Sequence, residues 1–490
     1  MLVCPLLSIV PVNNVLLIGG PALPEPRLAT YIFNNSPGLL NLVYSINYYG
    51  VMMAKQKLKV LNENAAGIDV GSREIFTAVP DGEVKSFGTF TSNFKSAVEY
   101  LKSQNIKTVA MESTGVYWVT LFDMLEQAGI NVCLVKSTMV KNVPGRKTDV
   151  SDCQSIQQLH SYGLLRASFI PDEQTRILRS YVRLRKTNIR LASDHIRRAQ
   201  KALNLMNIKL HFVISQINGA SGLRIIKAIL NGEHDPEKLV ELCDQQIIKH
   251  KRQSVILSLQ GNYRHEHLFA LRQAIDAYEF YQQKTIECDK EIENLLDEIN
   301  KDKPTPTDMK KPKQIRHNKP MINNLHLNLM KMTNGNDPSQ ITGLTDSTLL
   351  QVIAEVGTNM EPWKTEKYFT SWLGLAPNTH QSGTSFKKRK IRNSSNAGQV
   401  FRMAAQTLVL SKHNAIGAFY RRIQSKKGKL TAMKAAARKL AVCYYNVMTK
   451  GVEYVELGIQ QYEQKIKEQQ IKYLHKQAHR FGLTLIAQVE

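Results

Sequence analysis

Four carboxylates constrain this chain more than any other feature. Asp69 stands near the end of a short apolar strand pattern, Ala66-Gly67-Ile68-Asp69-Val70, and Glu112 closes another, Thr108-Val109-Ala110-Met111-Glu112. Asp149 and Asp152 are three residues apart where a helix is expected to begin, so they share one helix face. Carboxylates gathered without a basic partner repel one another unless a cation neutralises them, and hard oxygen donors suit Mg²⁺ or Mn²⁺. A fold that brings the four together must place two strand ends and one helix start at the same edge of a sheet.

The pattern around them supplies such a sheet. Strands are expected at 66–70, 74–79 and 84–90, joined by Gly71-Ser72-Arg73 and by the turn Pro80-Asp81-Gly82, as an antiparallel meander. A helix at 93–103, a strand at 107–112, a helix at 117–128, a strand at 131–136 and a helix at 149–162 follow. Three hairpin-linked strands followed by alternating helices and strands is the order of a ribonuclease-H-like α/β fold. In that order Asp69 lies on the first strand, Glu112 on the fourth and the aspartate pair on the last helix.

The net charge is +24 and the isoelectric point near 9.6, which calls for a polyanionic partner; nucleic acid is the expected one, and no membrane association is expected. Six cysteines are scattered without CxxC spacing, which excludes zinc ribbons and a disulfide framework and fits a reducing, cytoplasmic setting. Met1 to Leu23 carries no charge and is broken by Pro5, Pro11, Asn13 and Asn14, so it lacks both the basic start of a secretory signal and the unbroken length of a membrane span. Translation is expected to begin at Met52 or Met53 instead.

The expected organisation is an ill-defined extension at 1–64, the α/β domain at 65–172, a coiled-coil domain at 173–300, a Lys/Pro/Thr-rich mobile linker at 301–335, a mainly helical domain at 336–455 and a helical tail at 456–490. Leu178, Val182, Ile189, Ala192, Ile196, Ala199, Leu203, Met206 and Leu210 keep heptad spacing, interrupted only by Arg185; Leu271, Ile275, Tyr278, Ile292, Leu296 and Ile299 do so on a second long helix. The first helix carries Arg183, Arg190, Arg197 and Arg198 against the single acid Asp194, an imbalance that favours a nucleic-acid backbone over a merely solvated face. Ile341-Thr-Gly343-Leu-Thr345 followed by Leu349 to Gly357 has the pattern of a helix-hairpin-helix element. Beyond it, a basic loop at 381–393 holds Lys387, Lys388, Arg389, Lys390 and Arg392, and helices are expected at 398–411 and 430–450. Tyr117 and Trp118 read as core aromatics at a helix start, His160 and His380 as structural histidines, and Arg146 and Lys147 as groups that either contact DNA or pair with the acids.

The succession Gly67-Ile-Asp69-Val, Met111-Glu112-Ser-Thr-Gly-Val-Tyr-Trp118, Val143-Pro-Gly-Arg-Lys147-Thr-Asp149-Val-Ser-Asp152, Gly163 to Pro171, and Leu373-Gly-Leu-Ala-Pro377 with Gln381-Ser382-Gly383 resembles the DEDD-type insertion-sequence transposases related to the Piv/MooV DNA invertases. The resemblance runs from about residue 65 to 450. It implies a RuvC-like domain holding metal through Asp69, Glu112, Asp149 and Asp152, and a C-terminal transposase domain whose nucleophilic serine is Ser382, with Ser394 and Ser395 as alternatives and Arg402 at the family's arginine position. It also implies DNA cutting and rejoining through a phosphoserine link, an element-encoded guide RNA, and a homodimer or homotetramer. A metal-dependent Holliday-junction-type endonuclease and a non-catalytic nucleic-acid scaffold are the competing expectations.

Overall fold

The computed structural model describes residues 59–136, 149–307, 309–315, 318–377, 379–383, 385–388, 395–411, 414–451 and 453–484. Arg146, Lys147, Arg389, Lys390, Arg392, Ser394 and the N-terminal extension through residue 58 lie outside them. The chain divides into two compact units, one ending at Phe169 and one beginning at Ile170.

The first unit is built on a five-stranded sheet. β1 (Ala65–Val70), β2 (Glu74–Ala78) and β3 (Lys85–Gly88) form the antiparallel meander, and β4 (Thr108–Glu112) and β5 (Asn131–Val135) add in parallel to give the order β3-β2-β1-β4-β5. Helix α1 (Thr91–Ser103) buries Phe94, Ala97, Val98 and Leu101, the i, i+3, i+4, i+7 stripe of an amphipathic helix, and α2 (Trp118–Gln127) buries Leu121, Phe122 and Leu125. α3 (Asp149–Ser161) lies across β1, with Cys153, Ile156 and His160 turned inward. The described cysteines are free thiols.

The second unit is helical apart from one hairpin. α4 (Glu173–Leu205) starts at Asp172, whose carboxylate accepts the Thr175 amide. It ends before a small helical subdomain formed by α5 (Ala220–Leu230), α6 (Pro236–Val240) and α7 (Gln245–Ser258), whose Ile225, Ile226, Ile229, Leu239 and Val255 make an apolar core with Leu203 and Met206. α8 (His265–Ile299) then returns along α4. Arg185 meets Asp289, Asn188 meets the Lys284 carbonyl, and His195 stacks on Tyr281, so positions rise on one helix as they fall on the other and the pair is antiparallel within the chain.

Arg185, the interruption of the heptad stripe, is therefore not a break. It is buried against the equally buried Asp289, a pairing that no local pattern announces. The described residues of the 301–320 stretch form a strap joined to the helices by hydrogen bonds. Lys313 Nζ donates to the carbonyls of Ser339, Ile341 (2.8 Å) and Leu344 (3.2 Å), the Asn318 carbonyl accepts from Arg185, and the Met321 amide donates to Asp289.

α9 (Leu325–Met332), α10 (Asp346–Val356) and α11 (Glu366–Trp372) follow. Between α11 and α12 (Asn396–Thr407), the described part of the expected basic loop lies in a two-stranded hairpin, β6 (Thr379–Ser382) paired with β7 (Ser385–Lys388). α12 ends at Thr407 in a 3-10 turn at Leu408–Leu410, and a helix not expected from the pattern, α13 (Ala415–Lys427), precedes α14 (Lys429–Lys450) and α15 (Glu453–Arg480). Phe369 stacks on Tyr444 and meets Phe401 edge-on, while Tyr445 donates to the Trp363 carbonyl, so one aromatic core fixes α11, α12 and α14. No described helix is long and apolar enough to cross a membrane.

Candidate functional site

The carboxylates assemble through strand register. Ile68 of β1 pairs with Met111 of β4, so Asp69 and Glu112 occupy neighbouring positions at the C-terminal ends of two parallel strands. Such strand ends are where open α/β sheets place their ligands. Side chains alternate across a strand, so Asp69 shares its face with Gly67, and Glu112 shares its face with Ala110. Both faces are the one covered by α3: Ala110 packs on Ile156, and Gly67 lies directly beneath the helix backbone.

Gly67 sets how closely that helix approaches. A Cβ there would stand 2.4 Å from the Gln157 nitrogen and 2.5 Å from the Cys153 carbonyl oxygen, both backbone atoms with no freedom to move aside. Its absence lets the first turn of α3, carrying Asp149 and Asp152, descend to the end of β1. Gly67→Ala is expected to cost about 1–3 kcal/mol by overpacking and to lift that turn away from Asp69. Urea unfolding measures the first effect, and a fall of the Asp69 pKa, followed by carboxyl NMR, measures the second.

Asp69 records the assembly electrostatically. Its carboxyl is raised from the usual 3.8 to about 6, first by burial and then by the charges of Glu112, Asp149 and Asp152. Glu112 is 7% exposed and accepts a 2.9 Å hydrogen bond from Thr114 Oγ1. Asp149 and Asp152 lie in the first turn of α3, where the amide dipoles favour negative charge and offset part of the repulsion. Among the described residues no group of three or more His, Cys, Asp or Glu is gathered tightly enough to hold a metal ion. The four therefore stand within electrostatic reach without closing a coordination shell. The donor chemistry nevertheless fits a hard divalent cation: the oxygens are anionic, the first is half-buried, and the charge that raises its pKa is the charge a cation would neutralise.

The neighbours of these groups are structural. Cys153 is pushed up to about 12 by burial and by the Asp69 charge, so it stays a thiol and donates to the Val150 carbonyl. His160 is buried, which lowers its pKa, and its Nε2 lies 2.9 Å from Thr108 Oγ1, in keeping with the structural reading of the sequence. Tyr117 is not a core residue: it is 47% exposed beside Val116 at 76%, and Trp118 alone turns back to pack on Phe122.

In the second unit, Ser382 closes β6 opposite Ser385, and Gly383 (φ +56°) supplies the left-handed backbone that the tight hairpin turn needs. Lys387 and Lys388 pair with His380 and Thr379 on the same ribbon. Ser395 is committed elsewhere: its hydroxyl caps α12 by accepting the Gly398 amide at 2.9 Å and donates to the Leu373 carbonyl. Arg183 is likewise occupied, forming a two-pronged pair with Glu355 at 2.8 and 2.7 Å, while Arg179 holds the Ala354 and Glu355 carbonyls and Asn396 donates to the same carboxylate. Burial alone would raise Glu355, but these bonds and charges leave it below the usual range. Both arginines thus tie α4 to α10, a role their place in a basic run did not suggest. Arg197 pairs with Asp194 yet stays mostly exposed, and Arg402 rests on Gln399. Arg190 and Arg198 remain exposed on α4.

Comparison with known proteins finds two family models. Residues 66–208, which include all four carboxylates, match the IS110-type DEDD transposase family model, and residues 339–421, which include the β6–β7 hairpin, match the transposase family of IS116, IS110 and IS902. No curated protein matches the chain. Two segments of the chain thus match family models of the IS110-type transposases, one over the four carboxylates and one over the hairpin.

Proposed function

We propose that this protein is the transposase of an insertion sequence, cutting and rejoining DNA with Asp69, Glu112, Asp149 and Asp152 as a divalent-metal site and Ser382 as nucleophile. The observation that carries the reading is the Asp69 carboxyl, raised to about 6 by burial and by the charges of three further carboxylates. A bound Mg²⁺ or Mn²⁺ would supply Lewis-acid polarisation of a phosphate and charge neutralisation. The protein's own groups do the rest. Ser382 Oγ bonds to phosphorus, one phosphorus–oxygen bond to a strand end breaks, and the departing oxygen leaves as a hydroxyl carrying the serine proton. A hydroxyl of the joining strand later displaces Ser382, so the number of phosphoester bonds is conserved and no energy source is consumed. Lys387, Lys388, Arg389, Lys390 and Arg392 follow the serine closely in sequence and would balance charge on the phosphorane.

Guide RNA is the second polyanion we propose, held through the exposed cations of α4, with the turn around Gly343 acting as a helix-hairpin-helix that offers amides to phosphates. Arg146, Lys147 and Arg402 are assigned to DNA, and the working form to a homodimer or homotetramer.

The test is a trapping assay: protein with its copurifying RNA, Mg²⁺ and DNA spanning the element's ends, then denaturation and mapping of any protein–DNA adduct. An adduct at Ser382, lost in Ser382→Ala while DNA binding stays within about twofold, supports the reading. Cleaved DNA with free ends and no adduct would instead identify a water-activating endonuclease.

A further inference from the structure

The antiparallel pair α4–α8 does not close along its whole length. Near its subdomain end a groove of about 500 Å³ opens between the helices. Its walls are small or apolar: Ala202 and Leu205 from α4, and Ala270, Ala274 and Ala277 from α8, the last three at i, i+4 and i+7 so that their Cβ atoms form one strip. Larger side chains at these positions would have filled the space. The groove is not simply an apolar gap, because Arg198 and Lys201 stand exposed on its rim. His195 also lines it; its ring is stacked on Tyr281, and its buried Nδ1 has no hydrogen-bond partner among the described residues. The only acid close by on α4, Asp194, is already engaged by Arg197.

Apolar walls and two cations on the rim match a single chemical unit: a heterocyclic base with a phosphate attached. We propose that the α4–α8 groove binds one unpaired nucleotide of a nucleic-acid strand, with its base between the alanine strip and Leu205 and its phosphate on Arg198 and Lys201. The exposed Gln273 amide would reach the base edge. A duplex cannot enter, because its bases are stacked and paired; the site therefore discriminates single strands, loops and bulges from helical nucleic acid. The inference rests on the proposed function only for nucleic acid as the ligand.

Fluorescence anisotropy with the full chain tests it, in EDTA so that strand cleavage plays no part and the adduct assay is left independent. The probes are a short labelled single-stranded RNA, a single-stranded DNA of the same sequence, and the duplex. Ala270 is exposed on α8, so Ala270→Trp fills the groove mouth without entering the helix interface; circular dichroism checks its fold. We expect it to weaken single-strand binding about tenfold and duplex binding less than about twofold. The double variant Arg198→Ala/Lys201→Ala is expected to lose at least as much on single strands and to reduce the salt dependence, whereas Lys249→Ala, exposed on α7 and outside the groove, changes little. A larger loss on RNA assigns the nucleotide to RNA and a larger loss on DNA assigns it to DNA; either supports the site. Unchanged single-strand affinity in Ala270→Trp, or an equal loss on duplex, overturns it. So does photocrosslinking of a 4-thiouridine-labelled strand that maps away from α4 and α8.

Discussion

Asp69→Asn is expected to lower DNA strand cleavage by roughly 10³-fold while making the metal-free protein more stable at neutral pH. The two effects have one cause. Burial, and after it the charges of three other carboxylates, raises the Asp69 pKa from 3.8 to about 6. Between those values the folded chain keeps a proton that the unfolded chain has already released, so stability falls as pH rises through the window and the full penalty is present above it. The full shift would correspond to about 3 kcal/mol; because the group is only half-buried, solvent screening reduces the expected penalty to about 1–2 kcal/mol. Asparagine keeps the side chain's shape and removes the charge. Its thermal midpoint in EDTA should therefore exceed that of the wild type at pH 7.5, and the advantage should vanish below about pH 3, where Asp69 is protonated in both states. Mg²⁺ or Mn²⁺ should stabilise the wild type at pH 7.5, by about 2.7 kcal/mol at a concentration a hundred times its Kd, and should do far less for Asp69→Asn. Cleavage by the variant at the wild-type rate, or an undiminished metal-induced shift, would remove Asp69 from the metal site.

What the sequence disclosed and what it hid divide along a physical line. Sheet order, helix starts and the convergence of four acids were legible because each rests on a short-range period: alternation in β1 and β4, the i, i+3, i+4 stripe of α1, an aspartate pair one turn apart in α3. Even the glycine beneath α3 stands in the strand pattern, although its purpose shows only once the helix lies on it. The hidden features depend on partners remote in the chain. Arg183 finds Glu355, separated from it by 172 positions, and Lys313 finds the carbonyls around Ile341. A basic residue looks the same in a sequence whether it faces phosphate or a buried carboxylate, so composition overstates the surface offered to nucleic acid. Tyr117 errs in the opposite direction: an aromatic at a helix start reads as core, yet the helix begins one residue later and leaves it in solvent. The β6–β7 hairpin was missed because its strands are only four residues each and one is basic, giving neither the length nor the apolar alternation that marks a half-buried strand.

Arg185 and Asp289 carry the largest stability effect expected from any single pair. Their side chains are 8% and 2% exposed, and each is bonded to the strap as well as to the other: Arg185 Nη2 donates to the Asn318 carbonyl at 3.1 Å, and Asp289 Oδ2 accepts the Met321 amide at 3.0 Å. Removing either partner strands a charge in a dry helix interface, so Arg185→Met and Asp289→Leu are each expected to destabilise the protein by about 3–5 kcal/mol. The double variant should recover much of that loss, since two apolar side chains of similar volume pack where the ions met. It should not recover all of it, because the Met321 amide and Asn318 carbonyl lose their partners, at about 1–3 kcal/mol for each group left unsatisfied. A shift of the urea midpoint with unchanged slope measures these energies. Limited proteolysis separates the two jobs of the pair: if it holds the strap as well as the helices, cleavage within 301–320 should accelerate in the double variant even where the midpoint is largely restored. Single variants within about 1 kcal/mol of the wild type would mean that the pair contributes no more than an exposed ion pair does. An ion pair costs more to desolvate than a pair of leucines, so its presence in the heptad stripe fits a demand for register rather than for stability: only one alignment of α4 on α8 places Arg185 against Asp289 and at the same time leaves Ala202 opposite the alanine strip.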